Sequence, residues 1–547
     1  MPKKLRGADI VAQTLERYGV SKLFTLSGNH VMPVFDSVQD TSIQLIHVRH
    51  EAAAVHMADA WARVTGKVGF AMVTGGPGHA NGAAGLITAR ASDSPVVYLS
   101  GHTRLSELGR GAFQEMAQAE MAKPVTKASW TAQSAATLGH ELARAIRVAA
   151  SGRPGPVHLS LPQDLLEQEV NLEMSPLPDA AETEPMRMPL ADNVADLILA
   201  RLARARKPLI LCGPALCTAS GREQMQGLQS TLDVPVIGLE SPRGINDPSL
   251  GAFAEVLSQA DLILLVAKTL DFTLKFGDAP FIAESCEFML LHAELEAAAQ
   301  IAGAKPGRLV CHAEADHTSA MQTLTARAQK SARTSGWSEE VASALSYRPE
   351  QWQEMRSKTG GKLHAIEVCR GINSFLAQHQ KHIVICDGGE IGQWAQSLIT
   401  SDERLINGVA GSIGTGMPFA LGAKAARPEK TVLAIMGDGT FGFHMAEFET
   451  AVRNRLPVII VIGNDARWNA EYQIQLRTYG HERAKGCELL PARYDKVVEA
   501  LGGYGEHVTC AEQVPAALQR ALASDKPACL NIMIESAGAP IVRRPKD

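Results

Sequence analysis

The 547-residue sequence predicts an α/β protein made of three doubly wound parallel-sheet domains, and three observations lead there. Short apolar runs of strand length recur along the chain: VGFAMV (68–73), PVVYLS (95–100), PLILCG (208–213), LILLVA (262–267), HIVICD (382–387), TVLAIMG (431–437) and PVIIVIG (457–463). Helical patterns separate them, as parallel strands require, because each crossover must carry the chain back to the same end of the sheet. Two polar stretches interrupt the alternation. Residues 171–192 concentrate prolines and acids without periodicity, and 331–351 is polar and ends near Arg348-Pro349, so linkers are expected at both. The units left between them, 1–168, 190–332 and 356–547, are of ordinary domain size.

Composition narrows the function. The chain is 46% hydrophobic and 20% charged, with a net charge of −5 and no long run of one sign. That excludes a nucleic-acid surface and a polybasic membrane anchor. The apolar runs fall far short of the roughly 20 residues that a spanning helix needs. Nine cysteines are scattered from Cys212 to Cys529 without a CxxC pair, which suits packing thiols in a reducing, cytoplasmic setting. The N-terminus passes directly into an amphipathic pattern (Ile10, Val11, Leu15), so no export signal is expected. A small molecule is therefore the expected partner.

The densest chemistry lies in the third unit. TVLAIM reads as a strand, Gly437-Asp438-Gly439-Thr440 as its turn, MAEFETAVRNR as a helix and PVIIVI as the next strand, which ends at Asn464-Asp465. In an open parallel sheet ligands collect at the carboxyl ends of the strands, and glycines there let backbone N–H groups approach a phosphate. Asp438 and Asp465 would emerge side by side and offer hard oxygen ligands to Mg²⁺, which takes a few protein oxygens together with phosphate oxygens. An isolated GDG is most often only a tight turn. The polar end of the following strand changes that balance.

This pairing resembles the GDG…NN motif of thiamine diphosphate enzymes, and the chain is identified as a member of that superfamily. The resemblance implies that Asp438, Asp465 and the carbonyl of Arg467 hold Mg²⁺, with Gly437, Gly439 and Thr440 at the diphosphate. Asp465 departs from the pattern, since the family has Asn there; it remains an oxygen ligand but adds a negative charge. In the first unit, strand-like IQLIHV followed by RHEAAAVHMADAWARVTG closely resembles the RHE…A..MA.G.AR segment of acetolactate synthases and their relatives. The family's Glu, here Glu51, contacts N1′ of the cofactor's aminopyrimidine, where a shielded carboxylate sharing a proton promotes loss of the C2 proton.

Further segments carry the same resemblance. Gly75-Gly76-Pro77-Gly78 with Asn81 is similar to the GPG..N loop, which makes Pro77 and Asn81 cofactor contacts. GRGAFQEMAQAEMAKPVTK (109–127) resembles AFQE…PVTK and places Phe113 and Gln114 in the pocket. Gly389, Glu390 and Ile391 follow a strand where relatives bind the diphosphate. Gly411-Ser412-Ile413-Gly414 matches the segment whose bulky residue, here Ile413, props the cofactor into a V shape. The three domains thus correspond to pyrimidine-binding, central and diphosphate-binding domains, with active sites at the interface of a homodimer or homotetramer.

Substrate choice is less directly written. Where acetolactate synthases have PGGAV the chain has Ser27-Gly28-Asn29-His30-Val31, and where they have GM…QW it has Asn469-Ala470…Gln473-Ile474. His30, Gln114, Trp468 and Ala470 instead match positions in benzaldehyde lyase, and Gln473 completes the candidate pocket. An imidazole with a pKa near neutrality suits proton relay to a substrate hydroxyl, so His30 and Gln114 join Glu51 as candidate catalytic residues. The activity expected is carbon–carbon ligation or cleavage on 2-oxo acids, 2-hydroxy ketones and aldehydes. A 2-hydroxyacyl-CoA lyase or decarboxylase and an FAD-dependent 2-oxo acid oxidase stay open as alternatives. In relatives the central domain helps bind FAD or ADP and CoA; here Arg243, Lys268 and Lys275 could meet phosphates, but no tight glycine-rich fingerprint calls for FAD.

Overall fold

The computed structural model describes residues 4–173, 175–330, 336–401 and 403–545. By packing, the chain forms two compact units, one of Met1–Met186 with Pro418–Arg427 and Glu449–Asn454, the other of Arg187–Met417, Pro428–Phe448 and Arg455–Asp547.

In the first unit, helix α1 (Gly7–Arg17) buries Ile10, Val11 and Leu15, the stripe read from the sequence. It is followed by β1 (Lys22–Thr25), β2 (Gln44–His47), α2 (Glu51–Thr65), β3 (Gly69–Val73), α3 (Pro77–Ala91), β4 (Val96–His102), the short α4 (Gln118–Ala122), β5 (Ala128–Thr131), α5 (Leu138–Ala150) and β6 (Val157–Pro162). The six strands are parallel in the order β2-β1-β3-β4-β6-β5. β3, β4 and β6 are buried along their whole length, the mark of a sheet covered on both faces. One covered face packs Val11 and Leu15 against Met72, Leu99, Leu142 and Leu159.

The second unit holds two parallel sheets. β7 (Pro208–Cys212), β8 (Val236–Gly238), β9 (Leu262–Val266), β10 (Glu287–His292) and β11 (Leu309–Glu314) run in the order β8-β7-β9-β10-β11. Helix α6 (Trp337–Ser346) then packs Trp337, Val341 and Ala344 into this sheet's core. That corrects the linker expected over 331–351: residues 331–335 lie outside the described residues, and the remainder carries an apolar stripe at helical spacing that is anchored by Trp337 Nε1 donating to the Pro208 carbonyl at 2.9 Å.

The last sheet comprises β12 (His382–Cys386), α7 (Glu390–Leu398), β13 (Glu403–Ile406), β14 (Thr431–Gly437), α8 (Asp438–His444), β15 (Ile459–Asn464), α9 (Asn469–Tyr479), β16 (Tyr504–Val508) and β17 (Ala528–Met533), its strands ordered β13-β12-β14-β15-β17-β16. The turn expected at Gly437–Thr440 is absent: the strand runs through Gly437 and α8 starts at Asp438, so the helix opens where a separate loop was expected. MAEFETAVRNR supplies the next helix, Glu447–Arg453.

Each sheet has a switch point where its strand order reverses, between β1 and β3, β7 and β9, and β12 and β14. Such switch points open crevices at the carboxyl ends of the strands, where ligands bind in doubly wound folds. The first and third crevices hold the candidate residues. In the central sheet the backbone segments after β7 and β9 approach closely, since a Cβ on Gly213 would lie 1.8 Å from the Ala267 carbonyl oxygen.

Candidate functional site

The crevice of the last sheet is walled by close-packed glycine backbone. Gly389, at φ +85°, approaches so near that an added Cβ would sit 3.3 Å from Gly437 Cα. A Cβ on Gly439 would meet the Trp468 ring at 2.8 Å, and one on Gly388 the Ile413 side chain at 2.5 Å. Only glycine leaves room there for a ligand to reach the peptide groups.

Asp438 opens α8 with 1% exposure, and neither of its carboxylate oxygens has a hydrogen-bond partner. The amides of Gly439 and Ala466 and the carboxyl of Asp465 lie close enough to affect its proton affinity, but none bonds it in normal geometry. Asp465 faces it from the end of β15. Asn464 Oδ1 accepts the Ala466 N–H at 3.2 Å, and Ala466 itself has φ +57°, a sharp bend that turns the chain at Asp465. Burial pushes the pKa of both acids up, and for Asp465 the charge of Asp438 adds to burial while Arg467 opposes it. Two buried, mutually repelling carboxylates form a site that a divalent cation would relieve. Among the described residues no three His, Cys, Asp or Glu side chains converge, so such an ion would need backbone and ligand oxygens as well.

One cleft gathers Gly389, Glu390, Ile391, Ile413, Gly437, Asp438, Gly439, Thr440, Asp465, Arg467, Trp468 and Ala470. Two expected residues stand apart. Gly411 faces Pro242, and Gln473 lies one turn along α9, where its Nε2 donates to Asn469 Oδ1 at 3.2 Å. Ile391 is chiefly a core residue, 2% exposed and packed on Gly463.

Two residues that the sequence reading named only as parts of motif segments hold this region together. Asp387, 1% exposed, accepts from Gly388 N at 2.5 Å and Gly416 N at 2.7 Å, tying two glycine loops together. Burial raises its pKa to about 6 against those hydrogen bonds. Asn469 donates to the Ala537 carbonyl at 2.8 Å and accepts from Ser536 Oγ at 2.6 Å, fixing the segment after β17, whose Glu535 and Ala537 line the cleft.

The crevice of the first unit is organised differently. Glu51 opens α2, but the free N–H groups there are served by His50, whose Nδ1 accepts from Ala52 N at 3.2 Å. The Glu51 carboxylate instead receives Asn81 Nδ2 at 3.0 Å and lies beside Gly78, where a Cβ would come within 3.4 Å of Oε1. His30 is 2% exposed, places Nδ1 3.2 Å from Thr74 Oγ1, and stacks on Phe113 at a centroid distance of 6.1 Å. Burial lowers its pKa, the charge of His102 adds, and the Phe113 carbonyl opposes. Phe113 is 69% exposed, whereas Gln114, at φ +58°, presses its backbone on Gly76. Pro77 is exposed in the first turn of α3. Thr74 and Gln118, both buried in this crevice, carried no sequence signal.

The three cations considered for the central unit are engaged locally. Lys268 Nζ lies 2.5 Å from Asp271, Lys275 sits 5.8 Å over the Phe281 ring, and Arg243 lies 3.9 Å from Glu390. All nine cysteines are free thiols, and no helix among the described residues is long and apolar enough to cross a membrane.

Comparison with known proteins shows the family. Residues 5–121 match the family described as "Thiamine pyrophosphate enzyme, N-terminal TPP binding domain", and residues 387–532 match the corresponding C-terminal TPP binding domain. The chain is 30% identical to the acetolactate synthase large subunit IlvG of Mycobacterium tuberculosis, over 97% of this chain and 96% of that protein. It is 29% identical to human 2-hydroxyacyl-CoA lyase 2, over 91% of this chain and 84% of the relative. With oxalyl-CoA decarboxylase of Escherichia coli K12 it shares 28% identity, over 97% of this chain and 95% of the relative.

Proposed function

The chain belongs to the thiamine pyrophosphate enzymes and is a carboligase or lyase dependent on that cofactor, and we propose that it acts on 2-oxo acids or 2-hydroxy ketones and aldehydes, with Mg²⁺ anchoring the diphosphate.

The residues present fit both groups. The unpartnered oxygens of Asp438, the facing Asp465 and the carbonyl of Arg467 would hold the cation. Gly389, Gly437, Gly439 and Thr440 would receive the diphosphate. When bound, thiamine diphosphate supplies the electron sink for making and breaking the bond next to a carbonyl carbon. Glu51, steadied by Asn81 and not consumed in capping α2, would hold the proton at N1′ of the aminopyrimidine.

The observation that carries the substrate reading is His30: a buried imidazole, neutral at pH 7 because burial disfavours its charge, set against Thr74 and Phe113 at the switch point of the first sheet. A neutral ring there accepts a proton from a substrate hydroxyl and returns it, with Gln114 hydrogen-bonding the same oxygen. An assay of the holoenzyme with pyruvate, benzoylformate, benzoin, acetoin and a 2-hydroxyacyl-CoA tests this. The reading expects turnover of at least one 2-oxo acid or hydroxy ketone; turnover of the CoA thioester alone would favour the alternative suggested by the lyase and decarboxylase relatives, and a yellow preparation with rapid flavin reduction would favour an FAD-dependent oxidase.

The division into pyrimidine-binding (1–168), central (190–332) and diphosphate-binding (356–547) domains belongs to this proposal, as does a homodimer or homotetramer with cofactor sites between subunits. Exposed Phe113 and Ile87 in the first unit and Phe443 and Ile474 in the second support burial against a partner copy. A cytoplasmic location is proposed on the strength of the free thiols.

A further inference from the structure

Building on the pocket assigned above, we propose that Gln118 is the positioning residue that clamps the loop Gly75–Gly78 and so sets the spacing between Glu51 and Gln114. Gln118 is the first residue of α4 and is 1% exposed. Its orientation is dictated by its partners. A peptide N–H can only donate and a peptide carbonyl can only accept, so Oε1 must face Gly76 N, at 2.7 Å, and Nε2 must face the Gly101 carbonyl, at 2.9 Å. Nε2 also reaches Ser100 Oγ at 2.8 Å and Ser160 Oγ at 3.0 Å.

The protons beneath it are ordered as well. Ser129 Oγ donates to the Ala119 carbonyl at 2.8 Å, so it can only accept from His158 Nδ1, also at 2.8 Å. His158 Nε2 is then the acceptor for the Ser100 hydroxyl at 2.8 Å, which leaves the lone pairs of Ser100 to Gln118. Burial holds His158 neutral, with the charges of His79 and His102 acting in the same direction. The carboxamide therefore rests on a buried hydrogen-bonded network of Ser100, Ser129, His158 and Ser160, its two N–H hydrogens shared among three acceptors, in a low-dielectric interior.

Above the carboxamide the loop has no slack. A Cβ on Gly75 would lie 2.9 Å from Gln118 Oε1 and 2.8 Å from the Gly101 oxygen. A Cβ on Gly76, whose φ is +57°, would lie 2.7 Å from Gln114 Cβ. Gly76 is thus pinched between the side chain of Gln118 and the backbone of Gln114, and two residues on Gly78 borders Glu51. Gln118 touches neither Glu51 nor His30. It acts through the loop, and the consecutive glycines of GGPG are what that close approach requires.

The test uses the full-length holoenzyme with thiamine diphosphate and Mg²⁺, and compares Gln118→Met with Gln118→Glu. The Met variant keeps the size and loses every hydrogen bond. Its amides at Gly75, Gly76, Gly78 and His79 should exchange with deuterium at least about tenfold faster while those of β3 are unchanged, kcat should fall about 10²-fold, the scale of a displaced reacting group, and cofactor affinity should stay within about threefold because the diphosphate residues lie elsewhere in the chain. The Glu variant supplies a readout that a merely structural role would not move. A protonated carboxyl accepts from Gly76 and donates to Gly101 as the amide does, whereas a carboxylate cannot donate. Its activity relative to wild type should therefore rise as pH falls, while the Met ratio stays flat. The ionisable groups around this seat are His79 on α3, His102 on β4, His158 on β6, Glu115 and Glu120 beside Gln118, and Glu51 across Tyr98, and the Met ratio is the control for them. Unchanged amide exchange would overturn the clamp. Faster exchange at unchanged turnover, or a flat Glu ratio, would overturn positioning. If wild type turned over none of the substrates, the pocket reading would fail while the exchange result still judged the clamp.

Discussion

The two crevices share a topology and differ in what they leave unfinished. At the switch point of the last sheet, the buried carboxylate of Asp438 stands without a partner beside Asp465 and against bare glycine backbone, an electrostatic arrangement completed by a cation and its anionic ligand. At the switch point of the first sheet the candidate polar groups find partners inside the protein: Glu51 in Asn81, His30 in Thr74, Gln118 in four partners. The first arrangement suits holding a charged group, and the second suits keeping proton donors and acceptors at set distances. The same fold thus separates anchoring from proton handling, and each half can be broken without the other.

The largest effect is expected on the anchoring side. Stripping divalent cations with chelator, or Asp438→Ala, should abolish turnover and weaken cofactor binding by 10²-fold or more, read by titrating thiamine diphosphate into the stripped protein. Full activity in the stripped sample would remove the metal from the account. Next comes the separation of the halves. Mixing inactive Glu51→Gln with inactive Asp438→Ala subunits should restore roughly a quarter of wild-type activity if random dimers re-form one intact site; no recovery after verified exchange would place both halves of a site in one subunit.

A smaller loss is expected at His30. His30→Ala should lower turnover about 10²-fold and leave cofactor affinity alone. Unchanged kcat and KM across the substrate panel would make His30 a packing residue and remove the main support for benzaldehyde lyase-like chemistry. The smallest effect concerns stability. Burial holds His79 at a pKa of about 4, below its ordinary value of 6.5. Its folded-state pKa is depressed, so at pH values between these two the unfolded chain binds a proton that the folded chain does not, and stability falls as pH drops from about 6.5 to 4. The contribution is a few kcal/mol at most. A His79→Gln variant should show a shallower acid limb in thermal midpoint against pH; an equally steep limb would show that other groups dominate it.

What could be read from sequence follows from how local each feature is. The strands were legible because both faces of each sheet are covered, which makes VGFAMV, LILLVA and PVIIVIG near-continuous apolar runs. Edge strands such as β5, with every residue only partly buried, lack that signal and were not seen. The anchoring crevice was legible because Gly437–Thr440 and Asn464–Arg467 sit at the ends of neighbouring parallel strands, so short motifs carry most of it. Trp337 was missed because its helix begins within a polar stretch. Gln118 was missed because its meaning depends on Gly76, Gly101 and Ser160, brought together only by the sheet. Asp387 was legible as the end of the HIVICD strand, but its tie to Gly416, far along the chain, was not.

The separation of anchoring from proton handling is tested most directly by the rate at which the C2 proton of bound thiamine diphosphate exchanges for deuterium, measured by quench and proton NMR on holoenzyme without substrate. Wild type and His30→Ala should exchange at the same rate, and Glu51→Gln should be slower by 10²-fold or more. Exchange at the wild-type rate in Glu51→Gln, or its loss in His30→Ala, would contradict the assignment of the two roles.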